Sequence, residues 1–252
     1  MSLKFDFRGK VIAITGGASG IGLATVKLLA NAGARLSIAD LQQQLLDNVI
    51  AEIKDAGGDA VGFNVDVSDA KQVNFWIAET ARQLGPLHGA ANIAAIIGTG
   101  INKTRVEELE DDDWSRVLAV NLTGVMHCMR AEIQNIRHGG SIVNVTSVAG
   151  SMGIAKNAAY SAAKHGVVGL SRSTAKEVGD RYIRVNCVAP GRIETPMQLQ
   201  SVSMLGSDVP MPFYIKRKGE ASEVAELIAW LLSDSTKYIS GTVELIDGCW
   251  IC

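Results

Sequence analysis

Short apolar runs alternate with amphipathic stretches along almost the whole chain, and this alternation restricts the fold more than any other feature of the sequence. Residues 11–15, 35–39, 60–65, 87–93, 141–146, 183–188 and 242–246 read as strands, being short apolar runs. Helices are predicted over 20–31, 42–56, 69–84, 112–120, 122–136, 158–179 and 220–232. Strands separated by helices pair in parallel, because each helix carries the chain back across the sheet. The strands are continuously apolar, as in Ile142-Val143-Asn144-Val145, which fits a sheet covered by helices on both faces. No linker, repeat or low-complexity segment divides the chain. The expectation is one α/β domain over 1–252, doubly wound, with a parallel seven-stranded sheet between two layers of helices.

Composition excludes several functions. The chain has 252 residues, 47% of them hydrophobic, and a formal charge of −2 with acids and bases mixed. No basic block offers a surface to nucleic acid. No apolar run reaches the roughly 18 residues needed to cross a bilayer, and the polar first ten residues lack the apolar stretch of a signal peptide. A cytoplasmic location is expected by default. Of the four cysteines, Cys249 and Cys252 form a C-x-x-C, but no second pair or histidine cluster completes a zinc site. No metal is expected.

The first strand runs into Thr15-Gly16-Gly17-Ala18-Ser19-Gly20-Ile21-Gly22, and a helix begins at once. Glycines here let the backbone turn tightly and approach a pyrophosphate, which the free N–H groups of the helix N-terminus then face. The spacing is G-x-x-x-G-x-G rather than G-x-G-x-x-G, so the glycines alone fit an ordinary strand-helix turn equally well. Asp40, at the end of the second strand, strengthens the cofactor reading. A carboxylate there accepts hydrogen bonds from both adenosine ribose hydroxyls and repels a 2′-phosphate. Neither Gly17 nor Leu41 is a cation that would bind that phosphate, so NAD is expected over NADP. Asp66 and Asn92 fall at the carboxyl ends of the third and fourth strands, where open α/β sheets bind ligands. Read alone, each also fits a cap or turn.

Tyr160 and Lys164 lie four apart in a predicted helix and therefore share one face. An ammonium near a phenol favours the phenolate and lowers its pKa from about 10. Such a tyrosine can exchange a proton with an alcohol near neutral pH. Ser147, thirteen residues upstream at a strand end, can bond the substrate oxygen. Asn121 sits between two predicted helices, where its amide can kink the chain and hold a water near Lys164, or simply cap a helix.

Together these residues resemble the classical branch of the short-chain dehydrogenase/reductase family over essentially the full length. Thr15-Gly-x-x-x-Gly20-x-Gly22 is similar to that family's cofactor loop, and Tyr160-Ser-Ala-Ala-Lys164 to its Y-x-x-x-K signature. Asn121, Ser147, Tyr160 and Lys164 fall where its catalytic tetrad falls. The resemblance implies a Rossmann-type fold and hydride transfer with Tyr160 as acid/base. It also implies cofactor contacts at Gly16, Ser19, Gly20, Ile21, Gly22, Asp40, Leu41, Asp66, Val67, Asn92, Ala94, Tyr160 and Lys164. The segment holding the nicotinamide carboxamide would include Pro190, Gly191, Ile193 and Thr195. Two positions depart from the family pattern: Ala95 stands for a glycine after the fourth strand, and Cys249 for a glycine after Asp247-Gly248.

The segment 195–218 is expected to be a substrate lid. It carries Met197, Val202, Met204, Leu205, Val209, Met211, Phe213 and Tyr214, interrupted by Pro210 and Pro212. Methionine adapts to irregular apolar shapes. With Ile96, Ile97 and the 148–154 loop, this suggests a hydrophobic secondary alcohol or ketone, alicyclic, terpenoid or polyketide-derived, of the kinds met in secondary metabolism. The same residues equally suit lid packing or a subunit contact. Arg192 is either a reader of a polar substrate group or a surface residue. The resemblance implies a homotetramer. Ketone reduction as the working direction, and a non-redox scaffold that has kept the fold, are the competing readings.

Overall fold

The computed structural model describes residues 5–205 and 214–251. Nine strands and eight α-helices are present among them. The order begins β1 (Val11–Thr15), α1 (Gly20–Asn31), β2 (Arg35–Asp40), α2 (Gln43–Asp55), β3 (Asp59–Asn64), α3 (Ala70–Leu84) and β4 (Leu87–Asn92). It continues with α4 (Asp111–Leu118), α5 (Val125–Asn135), β5 (Ile136–Val145), α6 (Ala158–Glu177) and β6 (Arg184–Pro190). It closes with β7 (Ile193–Glu194), α7 (Pro196–Leu205), β8 (Gly219–Glu220), α8 (Ala221–Leu232) and β9 (Val243–Ile246).

Seven strands form one parallel sheet in the order β3-β2-β1-β4-β5-β6-β9. The chain builds outward from β1 to β3, then returns to lay β4 on the other side of β1. That reversal opens a crevice at the carboxyl ends of β1 and β4, the place where such sheets take ligands.

The core has two main layers because alternate side chains of a strand point to opposite faces. Ile12 and Ile14 of β1, with Leu36 and Ile38 of β2, pack beneath α1, α2 and α8. Val11 and Ala13 of β1, with Ile142 of β5 and Val185 of β6, pack under α3, α5 and α6. Fully buried Trp76 and Met129 fill the second layer.

Most predicted boundaries move by one or two residues, as fraying ends do. Three differences are larger. The helices predicted over 112–120 and 122–136 are not separated at residue 121: α4 passes into α5 through a π-helical segment, Ala119–Gly124. The fifth strand begins at Ile136, five residues early, because Ile136 pairs with Leu87 before an irregularity shifts the register to Gly89 with Ser141. The lid is partly helical. Its α7 has no apolar stripe at helical spacing, and the β7–β8 ladder that brackets it spans two residues per strand. Neither leaves a pattern in the sequence. The lid residues Val209, Pro210, Met211, Pro212 and Phe213 lie outside the described residues, as does Cys252.

Candidate active site and cofactor cleft

A cavity of about 450 Å³ opens at the carboxyl ends of β1 and β4. At the end of β1 the Thr15 hydroxyl accepts hydrogen bonds from the amides of Ile93 (3.0 Å) and Ala94 (3.1 Å). These bonds tie the end of β1 to the loop after β4. The glycine loop is then packed too closely for side chains. Gly16 has φ +69°, and a Cβ there would stand 2.9 Å from the Ala94 Cα. A Cβ on Gly22 would overlap the carbonyl of Gly16.

Gly16, Ser19, Gly20, Ile21 and Gly22 all line the cavity. Ser19, the N-cap of α1, makes no side-chain cap hydrogen bond, so the first-turn N–H groups of α1 are left for a ligand. Asp40 lies at the rim of the same loop. One carboxylate oxygen accepts from the Ala18 N–H (2.9 Å) and the other from the Gln42 N–H (3.0 Å). Asp40 therefore braces the glycine loop while facing the cavity, a double role that the sequence did not reveal. Leu41, Asp66, Val67 and Ala94 line the cavity, as do Ala95, Pro190, Gly191, Ile193 and Thr195. Asp66 shapes its own turn by accepting from Ser68 N (2.9 Å) and Ser68 Oγ (2.7 Å). A cradle that excludes Cβ atoms, an uncapped helix N-terminus and a carboxylate at the end of β2 fit a dinucleotide.

Asn92 requires correction. Its side chain is not on the cavity wall but turns into the core, where its amide donates to Glu132 Oε2 (3.0 Å) and Asn144 Oδ1 (2.9 Å). Burial pushes the Glu132 carboxyl up to about 8. The β4 register carries this side chain inward, and the neighbouring Ile93 and Ala94 meet the cavity instead.

Ser147, Tyr160 and Lys164 converge on the cavity from β5 and α6. Tyr160 and Lys164 share the helix face predicted for them, with Lys164 Nζ 5.6 Å from the Tyr160 ring centre. The Lys164 ammonium is 1% exposed and donates to the Val145 carbonyl (2.9 Å). Ser147 Oγ accepts from the Ala149 N–H (3.2 Å) and caps the turn that follows. The expected lowering of the phenol pKa by Lys164 is not found in the protein alone. Burial dominates and pushes Tyr160 up to about 12, opposed by a hydrogen bond from Ser147, while burial pulls Lys164 down to about 8.

Asn121 also differs from expectation. It is fully buried and off the cavity wall. Its amide is spent on one residue, donating to the Ile96 carbonyl (2.8 Å) and accepting from the Ile96 N–H (2.8 Å). It holds the loop that presents Ile96 to the cavity, and that is the role its side chain plays in this structure.

Beyond Ser147, Tyr160 and Lys164 the wall is mostly apolar. Ile96, Ile97, Val148 and Ile154 line it as expected, joined by Ile101 and Trp250. Of the apolar lid residues named from sequence, Met197 reaches the cavity, whereas exposed Tyr214 does not. Arg192 lines it too. Several polar residues on the wall were missed, among them Asn102, Asn157, Gln198 and Ser201. They are scattered in sequence and carry no motif. Cys249, the described half of the C-x-x-C, is exposed.

Comparison with known proteins decides the family. The family model described as enoyl-(acyl carrier protein) reductase matches residues 16–250. A short-chain dehydrogenase/reductase, aba4 of Botryotinia fuckeliana, is 46% identical over 98% of both chains. The chain belongs to the short-chain dehydrogenase/reductase family. Cyclohexanol dehydrogenase of an Acinetobacter strain is 37% identical, over 99% of this chain and 97% of its own. Levodione reductase of Leifsonia aquatica is 38% identical over 96% and 94%. The crystal structure of levodione reductase matches with a TM-score of 0.90 at 36% identity, covering 96% of this chain and 97% of that one. As a short-chain dehydrogenase/reductase the protein is an oxidoreductase acting on CH–OH groups with a nicotinamide cofactor. No described helix is long and apolar enough to cross a membrane.

Proposed function

We propose that the protein interconverts a hydrophobic alicyclic secondary alcohol and its ketone, using NAD, with Tyr160 as the acid/base. The observation that carries this reading is the convergence of Ser147, Tyr160 and Lys164 on one apolar cavity that is continuous with the glycine cradle. The bound nicotinamide would supply the hydride acceptor for oxidation and the hydride donor for reduction. Gly16, Ser19, Gly20, Ile21 and Gly22 would hold the pyrophosphate, and Asp66 and Val67 the adenine. Pro190, Gly191, Ile193 and Thr195 would hold the carboxamide. Asp40 would hold the adenosine ribose, and its carboxylate disfavours a 2′-phosphate, which is the reason for choosing NAD.

Ser147 Oγ takes a hydrogen bond from Ala149, and its own proton, which faces Tyr160 in the protein alone, would turn to the substrate oxygen. As the phenolate, Tyr160 Oη would take the carbinol proton in oxidation, and as the phenol it would give its proton to the substrate oxygen in reduction. Lys164 spends one N–H on Val145 and keeps others for the nicotinamide ribose. Asn121 acts as a positioning residue through Ile96. The apolar wall supports a hydrocarbon ring, and two relatives bear the names cyclohexanol dehydrogenase and levodione reductase.

Alicyclic secondary alcohols presented with NAD, and their ketones with NADH, are expected to change the nicotinamide absorbance. Cofactor binding without turnover of any of them would overturn the reading. One cytoplasmic domain assembled as a homotetramer through the α4–α5 and α6 surfaces is part of the proposal. A monomer by light scattering would remove that part.

A further inference from the structure

The cavity wall carries a polar cluster that the proposed reaction does not use. Asn157, the N-cap of α6, lies one helical turn before Tyr160. Its amide donates to Asn102 Oδ1 (3.1 Å), and its Oδ1 accepts from the Asn102 N–H (3.0 Å). Asn102 in turn donates to Ser201 Oγ on α7 (2.9 Å). Three segments distant in sequence are thereby joined on one stretch of wall: the loop after β4, the start of α6 and the lid helix. Asn102 takes φ +64° to do so. That left-handed conformation suits an asparagine among side-chain-bearing residues.

The hydrogen-bond inventory leaves donors over. Ser201 Oγ accepts from Asn102, and its own proton has no acceptor among the described residues. Asn102 uses one N–H of its amide on Ser201, leaving the second. Gln198, three residues before Ser201 on α7, also lines the cavity, and its side-chain amide bonds no described residue. An apolar pocket with a few convergent, unspent donors selects a ligand that brings acceptors to them. The Asn157 end of the cluster begins one turn from Tyr160, about 5–6 Å between β-carbons at that spacing.

We infer that the cluster of Asn102, Ser201 and Gln198 reads a second oxygen on the substrate ring, across from the carbon that reacts at Tyr160. The substrate class is then a cyclic diketone, hydroxyketone or diol rather than a ring with a single oxygen. This inference rests on the reading of Tyr160 as the acid/base of an alicyclic ketone reductase and refines its substrate. Neutral donors suit a neutral carbonyl or hydroxyl oxygen. A monofunctional ring would leave the same donors desolvated and unpaired, which costs binding.

The test compares cyclohexane-1,4-dione with cyclohexanone. Both would be assayed as substrates with NADH, and as ligands of the NAD-loaded protein, which cannot reduce them, by calorimetry. The expected result is a kcat/KM and an affinity at least about tenfold higher for the dione. In Ser201→Ala and Asn102→Gly that ratio falls by about three- to tenfold, since each removes a neutral donor or the residue that sets it. Equal preference for the two ketones overturns the inference, and so does a variant that lowers both equally, because a mere lid latch would act in that way. If neither ketone turns over while calorimetry still shows the dione preferred and the preference lost in Ser201→Ala, the polar site stands and the assignment of Tyr160 falls.

Discussion

Lys164 Nζ lies 5.6 Å from the centre of the Tyr160 ring and is pinned there by the Val145 carbonyl at 2.9 Å. The pairing joins α6 to the end of β5, so the position of the phenol is fixed by the sheet and not by the helix alone. Replacing Tyr160 with Phe removes the proton carrier while keeping the ring against Lys164. Turnover in either direction is expected to fall by about 10²- to 10⁴-fold, the usual contribution of general acid–base catalysis. NADH affinity, measured by nicotinamide fluorescence, is expected to change little. Retention of most of the activity would dissociate Tyr160 from the chemistry.

Asp40 faces the cavity while holding the Ala18 and Gln42 amides. Asp40→Asn keeps one oxygen acceptor for the loop but removes the charge. Steady-state kinetics with both cofactors are expected to show poorer use of NAD and better use of NADP, with a combined change in preference of about tenfold or more. An unaltered ratio would mean that the carboxylate serves the loop alone.

Gly22→Ala places a methyl on the Gly16 carbonyl. Because the clash is with backbone, rotation of a side chain cannot relieve it. The variant is expected to lose roughly 1–3 kcal/mol of stability, the range for overpacked sites. NAD binding is expected to weaken more than the loss of stability explains. Thermal melts with and without NAD separate the two effects: the stabilisation by cofactor should shrink as well as the starting Tm.

Glu132 supplies a pH test away from the cavity. Burial raises its carboxyl from 4.5 to about 8, so the folded protein keeps a proton that the unfolded chain has lost across that interval. More protons bound in the native state means that stability declines as pH rises from about 4.5 to about 8. Glu132→Gln keeps an oxygen for the hydrogen bond from the Asn92 amide and cannot ionise. A tenfold change in proton affinity between the folded and unfolded states corresponds to about 1.36 kcal/mol. The variant is therefore expected to gain on the order of a few kcal/mol at about pH 9, or roughly 10 °C in Tm. Near pH 5 its Tm should stay close to that of the parent. An equal effect at both pH values would contradict a buried, protonated carboxyl.

Much of the architecture was legible because it is written in local periodicity. The strand Val11–Thr15 and the helix Gly20–Asn31 have the predicted bounds. The cofactor residues predicted from the glycine loop, Asp40 and Asp66 reach one cavity. Asn92 did not follow, because strand-end position says that a residue is near the crevice and not which way its side chain turns. Asn121 reads from sequence as a helix boundary, since an amide between two helical patterns looks like a cap. Instead the helix runs through as a π-turn, and the side chain is taken by Ile96, twenty-five residues away.

The sequence by itself determined the strand-helix alternation, the glycines that must lie against backbone, and the Tyr160–Lys164 spacing that places both on one face. These are short-range properties, set by sterics and helical pitch within a few residues. Tertiary structure decided what surrounds them. It buried Lys164 and half-buried Tyr160, so that desolvation, rather than their mutual charge, governs both groups. It turned Asp40 into a brace for the loop that it faces, and it brought Asn102, Asn157 and Ser201 together on one wall. Those outcomes depend on which distant segments share a cavity, and therefore on the solvent excluded and the hydrogen bonds completed there, which no local pattern encodes.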